Sequence, residues 1–255
     1  YGGINPSWWP YQGNASITMS GGTLNFADQG IIIRTDATYS FTDNITGGTI
    51  RTAGNLGCSR SDFIPAAGTF EMYGSTNATL SVTAGNLFNL NIGMDPGTTV
   101  EIMGTTTING ILNINGGTVT AANRIINTSN NINLNAGSTL NLTGGSQLNV
   151  TGGGASTTAR GGPFWVTGTA GSNSRISRNG AGGLYELHIN GSISARYATF
   201  EGMHAVNIWS QATVDPLNSF DYCTFQNGGD RFMQIANSQD IVIRGAAFPT
   251  APLFN

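Results

Sequence analysis

The sequence contains no lysine, and all ten of its cations are arginine. Charged residues make up 9% of the 255, against roughly a quarter in ordinary globular chains. With a net charge of −3, such a surface offers no basic footprint for nucleic acid and no polybasic segment for an anionic membrane. The missing lysine also excludes a Gly-x-x-x-x-Gly-Lys phosphate loop. Cysteine is scarce: Cys58 and Cys223 are too few for a disulfide framework and too far apart in sequence to meet in a stack of coils. No apolar run approaches the roughly 20 residues of a membrane-spanning helix, so no direct membrane insertion is expected.

What is present is glycine, with 37 copies, and a polar complement of Asn, Thr and Ser. Near the C-terminus one phrase is written three times, as Ile193-Ser-Ala-Arg-Tyr-Ala-Thr-Phe200, Asn218-Ser-Phe-Asp-Tyr-Cys-Thr-Phe225 and Ile241-Val-Ile-Arg-Gly-Ala-Ala-Phe248. The phenylalanines that close the copies are 25 and 23 residues apart, a period that marks a solenoid. Side chains alternate between the faces of a strand. Each phrase therefore reads as two strands joined by a bend at Tyr197, Tyr222 or Gly245. The bend turns Ala198, Cys223 and Ala246 inward, and it brings Phe200, Phe225 and Phe248 into an internal aromatic ladder. The residue before the bend is Arg196, then Asp221, then Arg244, an outward charge ladder of alternating sign that marks register rather than catalysis.

Upstream, Leu80/Val82, Leu90/Ile92, Val100/Ile102, Leu112/Ile114, Ile132/Leu134, Leu140/Leu142 and Leu148/Val150 are inward pairs divided by Gly, Asn or Asp. The asparagines serve bends that need φ > 0 and can hydrogen-bond along the solenoid axis. Residues 1–20 stand apart: Tyr1, Trp8, Trp9, Pro10 and Tyr11 read as an aromatic cap or docking segment ahead of one continuous solenoid over 21–255. The interval 57–67 lacks alternation and reads as a protruding loop holding Cys58. Residues 152–183, rich in Gly, Ser and Thr, read as coils with looser turns.

These features predict an all-β, single-stranded parallel β-helix. Tyr222-Cys-Thr-Phe225 with Asn227, and Ile241-Val-Ile-Arg-Gly-Ala-Ala-Phe248, resemble right-handed parallel β-helix repeats of the broad pectate-lyase-like class. Gly48-Thr-Ile-Arg-Thr52, Gly68-Thr-Phe-Glu-Met-Tyr-Gly74 and Leu87-Phe-Asn-Leu-Asn-Ile92 resemble segments of long bacterial secreted surface proteins built from such coils. The resemblance implies a right-handed solenoid and an extracellular or cell-surface location. It implies no particular activity, because this superfold hosts lyases, hydrolases, adhesins and fibres alike.

A lyase of this class wants clustered carboxylates for Ca²⁺ beside a cationic base, and a hydrolase wants two or three carboxylates facing one groove. Here the closest groupings are Asp230 with Arg231, Asp221 with Arg196 and Arg244, and Glu201 with His204, each explained by a turn or an ion pair. His188 and His204 lie in no metal-ligand spacing, and no cofactor is expected. The expectation is a non-enzymatic structural protein, a homo-oligomer or homopolymer joined through its ends. Tyr1, Trp8, Trp9, Tyr11, Phe248, Leu253 and Phe254 are the candidate contacts. The alternative is an adhesin that binds cell-surface glycans through exposed aromatics such as Trp8, Trp9 and Trp209; a polysaccharide lyase or hydrolase ranks third.

Overall fold

The computed structural model describes residues 14–33, 39–151, 156–179, 183–229 and 233–249. Among these residues there is no helix, and every named strand pairs in parallel with the strand one coil away. The chain is a parallel β-solenoid. The alternation explains why: in a strand such as Asn89–Met94, Leu90, Ile92 and Met94 turn to the axis while Asn89, Asn91 and Gly93 face out. A chain that repeats this every coil buries its apolar set only by stacking on its own neighbours.

Three sheets line the axis. Sheet A runs from Ala15–Asn25 through Phe41–Thr52, Thr69–Gly74, Asn89–Met94, the first half of Leu112–Ala122, Ile132–Asn135, Ser156–Arg160, Tyr185–Ile189 and Met203–Ile208 to Met233–Ile235. Sheet B runs from Ile31–Ile33 to Thr213–Asp221, and the strand Leu112–Ala122 turns the corner between the two. Sheet C begins only at Thr106–Ile108 and ends at Thr224–Gln226. All seven inward pairs from Leu80/Val82 to Leu148/Val150 are buried in the shared core.

The three phrases occupy consecutive coils at the sheet B to sheet C corner. Tyr197, Tyr222 and Gly245 take φ of 45°, 55° and 61°, a left-handed conformation that turns the strand without a long loop. It costs a non-glycine residue roughly 1–2 kcal/mol. The Tyr197 and Tyr222 rings stack at 4.9 Å and 10°, and such a contact returns about 0.5–1.5 kcal/mol. Glycine is required at the third copy for a second reason: a Cβ on Gly245 would lie 2.6 Å from Cδ1 of Tyr222. Just beyond the bends, Phe200 stacks on Phe225 at 5.2 Å and Phe225 on Phe248 at 4.7 Å, within 10° and 3° of parallel.

Several expectations are corrected. Among the described residues the first strand starts at Ala15, inside the segment read as a cap. Cys58 is not in a loop: it ends the strand Leu56–Cys58 with its thiol buried, because Leu56 and Cys58 form an inward pair across Gly57 and a cysteine serves there as a small apolar residue. The segment after it does not simply protrude. Among the described residues sheet C has no named strand in these early coils, and Phe63 fills that side, buried between Phe41 at 6.0 Å and Phe70 at 5.8 Å. Arg60 is also buried and holds Asp62 through two hydrogen bonds, of 2.8 and 2.6 Å. In the second phrase Ala195 pairs with Ser219 and Arg196 with Asp221, so Phe220 bulges from the ladder at φ 64° and packs into the core. The third phrase follows its neighbours through Tyr222 N–H to Arg244 O (2.7 Å) and Phe225 N–H to Ala247 O (2.9 Å), yet forms no named strand.

Phe225, clamped between two parallel rings, gives a direct test of the ladder. Phe225→Ala should cost about 3–5 kcal/mol. Since a coil is held only by its neighbours, hydrogen exchange should locate the loss in the coils around Thr224–Gln226, with protection near Leu90 and Ile114 unchanged.

Candidate functional site

The outward positions of sheet A form one column through the whole stack: Asn25, Arg51, Glu71, Asn91, Asn113, Asn133, Thr158, His188, Asn207 and Gln234. An amide carries both a donor and an acceptor, so it can bond the coil below and the coil above at once. Asn133 Nδ2 donates to Asn113 Oδ1 at 2.7 Å and Asn113 Nδ2 donates to Asn91 Oδ1 at 2.8 Å. Sheet C repeats the device, with Asn149 Nδ2 donating to Asn127 Oδ1 at 2.8 Å and Ser177 Oγ to Asn149 Oδ1 at 2.6 Å. These columns satisfy the surface and leave it nearly neutral.

The sequence-derived groupings separate once folded. Asp221 is not on the surface but 5% exposed, because its carboxylate turns back to accept from the backbone N–H and the guanidinium of Arg244, both at 3.1 Å. Arg196 is exposed and lies 5.2 Å from the Tyr197 ring centroid and 5.9 Å from that of Tyr222. Glu201 accepts from Asn227 at 2.9 Å and Gln226 at 3.3 Å and pairs with Arg175. His204 lies instead against Glu186, Nδ1 to Oε1 3.4 Å. Asp230, Arg231, Tyr1, Trp8, Trp9, Tyr11, Leu253 and Phe254 lie outside the described residues. Among the described residues no three His, Cys, Asp or Glu side chains are arranged to hold a metal ion. A shallow groove of about 450 Å³ on the outer face of sheet B is lined by Ile32, Asn55, Gly57, Thr79, Ser81 and Thr83 among others, with no carboxylate, imidazole or cation.

Two features remain. The first is the pair of solenoid ends. Along the inward column of sheet A, Leu90, Leu112, Ile132 and Leu187 are buried, but Leu24 in the first coil is 40% exposed. A neighbouring column runs through Ile189 and Ile208, both buried, to Ile235, which is 43% exposed. Phe248, last in the aromatic ladder, is half-buried, and Ile241, Ile243 and Ala246 are covered no better. Among the described residues, no further strand stacks on Leu24 or on Ile235.

The second feature is a cluster that sequence reasoning missed. Tyr185, Leu187 and Ile189 point to the core, so Glu186 and His188 share the outer face. One coil on lie His204, Asn207 and Trp209. Glu186 Oε2 is 2.8 Å from His188 Nε2, Glu186 Oε1 is 3.4 Å from His204 Nδ1, and the His188 ring lies 6.0 Å from that of Trp209 at 9°. Asn207 Nδ2 lies 3.4 Å from His188 Nδ1, so both ring nitrogens of His188 have a polar partner. The signal was available in the alternation of Tyr185–Ile189, which puts a carboxylate and an imidazole side by side on an outer face.

Burial pushes the Cys58 thiol up to about 11 and that of Cys223 to about 12, outweighing the backbone hydrogen bonds that lower them. Both thiols are free. Since only the thiolate reacts, neither should be titrated by a disulfide reagent at pH 8 in the folded protein, and both should react at once in denaturant; rapid labelling of native protein would overturn this burial. Compared with protein-family profiles, curated proteins and solved structures, the chain finds no significant match.

Proposed function

We propose that the protein is a non-enzymatic structural solenoid of the extracellular or cell-surface kind, which associates end to end with copies of itself. The observation that carries this reading is the contrast along one column: Ile208 is 1% exposed and Ile235, its register partner in the last coil, 43%. Leu24 is in the same condition at the other end. Fully burying a side chain of this size is worth about 1.5–3 kcal/mol. Among the described residues, Ala15–Asn25 pairs only with Phe41–Thr52 and Met233–Ile235 only with Met203–Ile208, so backbone groups at both edges have ladder partners on one side alone. An added coil satisfies the apolar column and the edge together.

A second copy supplies such a coil. Docking the Met233–Ile235 end on the Ala15–Asn25 end is heterologous, and a heterologous contact that does not close continues as a filament. The side walls favour this order. They are built from amide and hydroxyl columns with few charges, so their free hydrogen-bonding capacity is largely consumed within each chain, and the ends are the more apolar contacts.

The intact chain should therefore sediment as a concentration-dependent series and show rods longer than one molecule by electron microscopy. Ile235→Lys puts a charge on the end face and should leave dispersed monomers with an unchanged β-sheet spectrum. Val242→Lys, on the outer side of the last coil, should assemble normally. A wild-type chain that stays monomeric at all concentrations would overturn end-to-end association.

A further inference from the structure

Trp209 is 38% exposed in a polar surface, and its position is fixed rather than incidental. Its backbone N–H donates to Ile189 O at 3.0 Å and its carbonyl accepts from Ala212 N–H at 2.9 Å, closing a tight turn. The parallel His188 ring beside it holds the indole, and His188 is itself held by Glu186 and Asn207. Gln211 Nε2, in the same turn, donates to Asn190 Oδ1 at 3.0 Å. An indole pre-set in this way presents an apolar plane at no further ordering cost, with planar polar groups around it.

The geometry points to a binding site for a neutral saccharide on the outer face of sheet A, with Trp209 as the stacking platform and Glu186 and His204 as hydroxyl partners. A pyranose has an apolar C–H face and a rim of hydroxyls, each both donor and acceptor. The apolar face matches the exposed indole. The rim needs acceptors and donors at the edge of that plane, which a carboxylate and an imidazole supply. The side chains of Glu186 and His204 are 43% and 48% exposed, so both groups reach solvent while holding each other. The carboxylate also disfavours an acidic sugar, whose charge would approach it directly. His188 is a positioning residue: both of its ring nitrogens are occupied, and it acts by fixing the indole and the carboxylate. Trp165 is the counter-example on sheet B: 41% exposed, its register neighbours are Asn141 and Ser194, neither of them a carboxylate or an imidazole. The site lies on a lateral face and does not rest on the end-to-end reading; assembly is read by sedimentation and this site by titration.

The test titrates the intact chain with cellohexaose, chitohexaose, mannohexaose and an acidic hexagalacturonate by calorimetry. At least one neutral hexasaccharide should bind saturably, and more tightly than the acidic one. Trp209→Ala should weaken that binding at least about tenfold, as loss of a central aromatic anchor does. Trp209→Phe keeps a ring and should fall between the two, and Glu186→Ala should weaken binding with a circular dichroism spectrum like wild type. Trp165→Ala should bind as wild type does. The proposal is overturned if no neutral hexasaccharide binds, if hexagalacturonate binds tightest, or if Trp165→Ala loses as much affinity as Trp209→Ala.

Discussion

In-register parallel pairing between consecutive coils is the constraint on which everything else in this molecule depends. A slip of one residue would turn every inward side chain outward, so each coil must recognise its neighbour along its whole length. The chain does this with several kinds of column that can stack only in one way. Phenylalanine lies over phenylalanine from Phe200 to Phe248, amide over amide from Asn91 to Asn133, and a left-handed corner over a left-handed corner from Tyr197 to Gly245. Each contributes modestly, and together they specify register where hydrophobic burial alone would accept alternatives.

The same constraint accounts for the odd composition. Equivalent residues in neighbouring coils lie about 4.8 Å apart. Two like charges at such a distance repel by about 1 kcal/mol even in water, and a column would repeat that penalty at every coil. An amide column carries no such cost and propagates indefinitely. Where charge does enter a column it alternates: Arg51 pairs with Glu71 at 3.2 Å and Arg244 with Asp221 at 3.1 Å, while Arg175 reaches diagonally to Glu201, the register partner of Ser177. A solenoid surface made this way has little use for lysine, whose flexible ammonium can donate but never accept.

Much of the fold was legible because it is local. The inward pairs from Leu80/Val82 to Leu148/Val150 follow from alternation, and the aromatic ladder and the corner from a phrase written three times. What was not legible depended on which coil stacks on which. Alternation at Leu56 and Cys58 spans a single glycine, too short to see, and nothing in the sequence says that Phe63 must fill the side where, among the described residues, sheet C has no named strand. Phe220 is invisible as a bulge because the phrase aligns without a gap, although the ladder does not. The candidate site failed to show for a related reason. Glu201 and His204 are close in sequence but take different partners, whereas Glu186 and His204 are far apart in sequence and meet because one coil separates them.

That difference indicates where function can reside in such a molecule. The core columns are interdependent, since a change in one coil alters the surface its neighbours pack against. The outward columns constrain only what touches them, and from Asn91 to Asn133 they settle on the cheapest solution, an unbroken run of amides. The run stops at Thr158, and one coil on the column carries His188, an imidazole stacked on an exposed indole and hydrogen-bonded to a carboxylate. Register does not require this substitution, because Asn207 resumes the amide run one coil later. The ends depart from the rule in the opposite sense: among the described residues the columns keep their residue type there, and it is the stacking of a further strand that stops, at Leu24 and Ile235. A departure in residue type calls for a ligand with its own chemistry, while a departure in coverage calls for more of the same surface. On this reasoning the proposed lateral site and the proposed end contacts are separate, and each can change without disturbing the other.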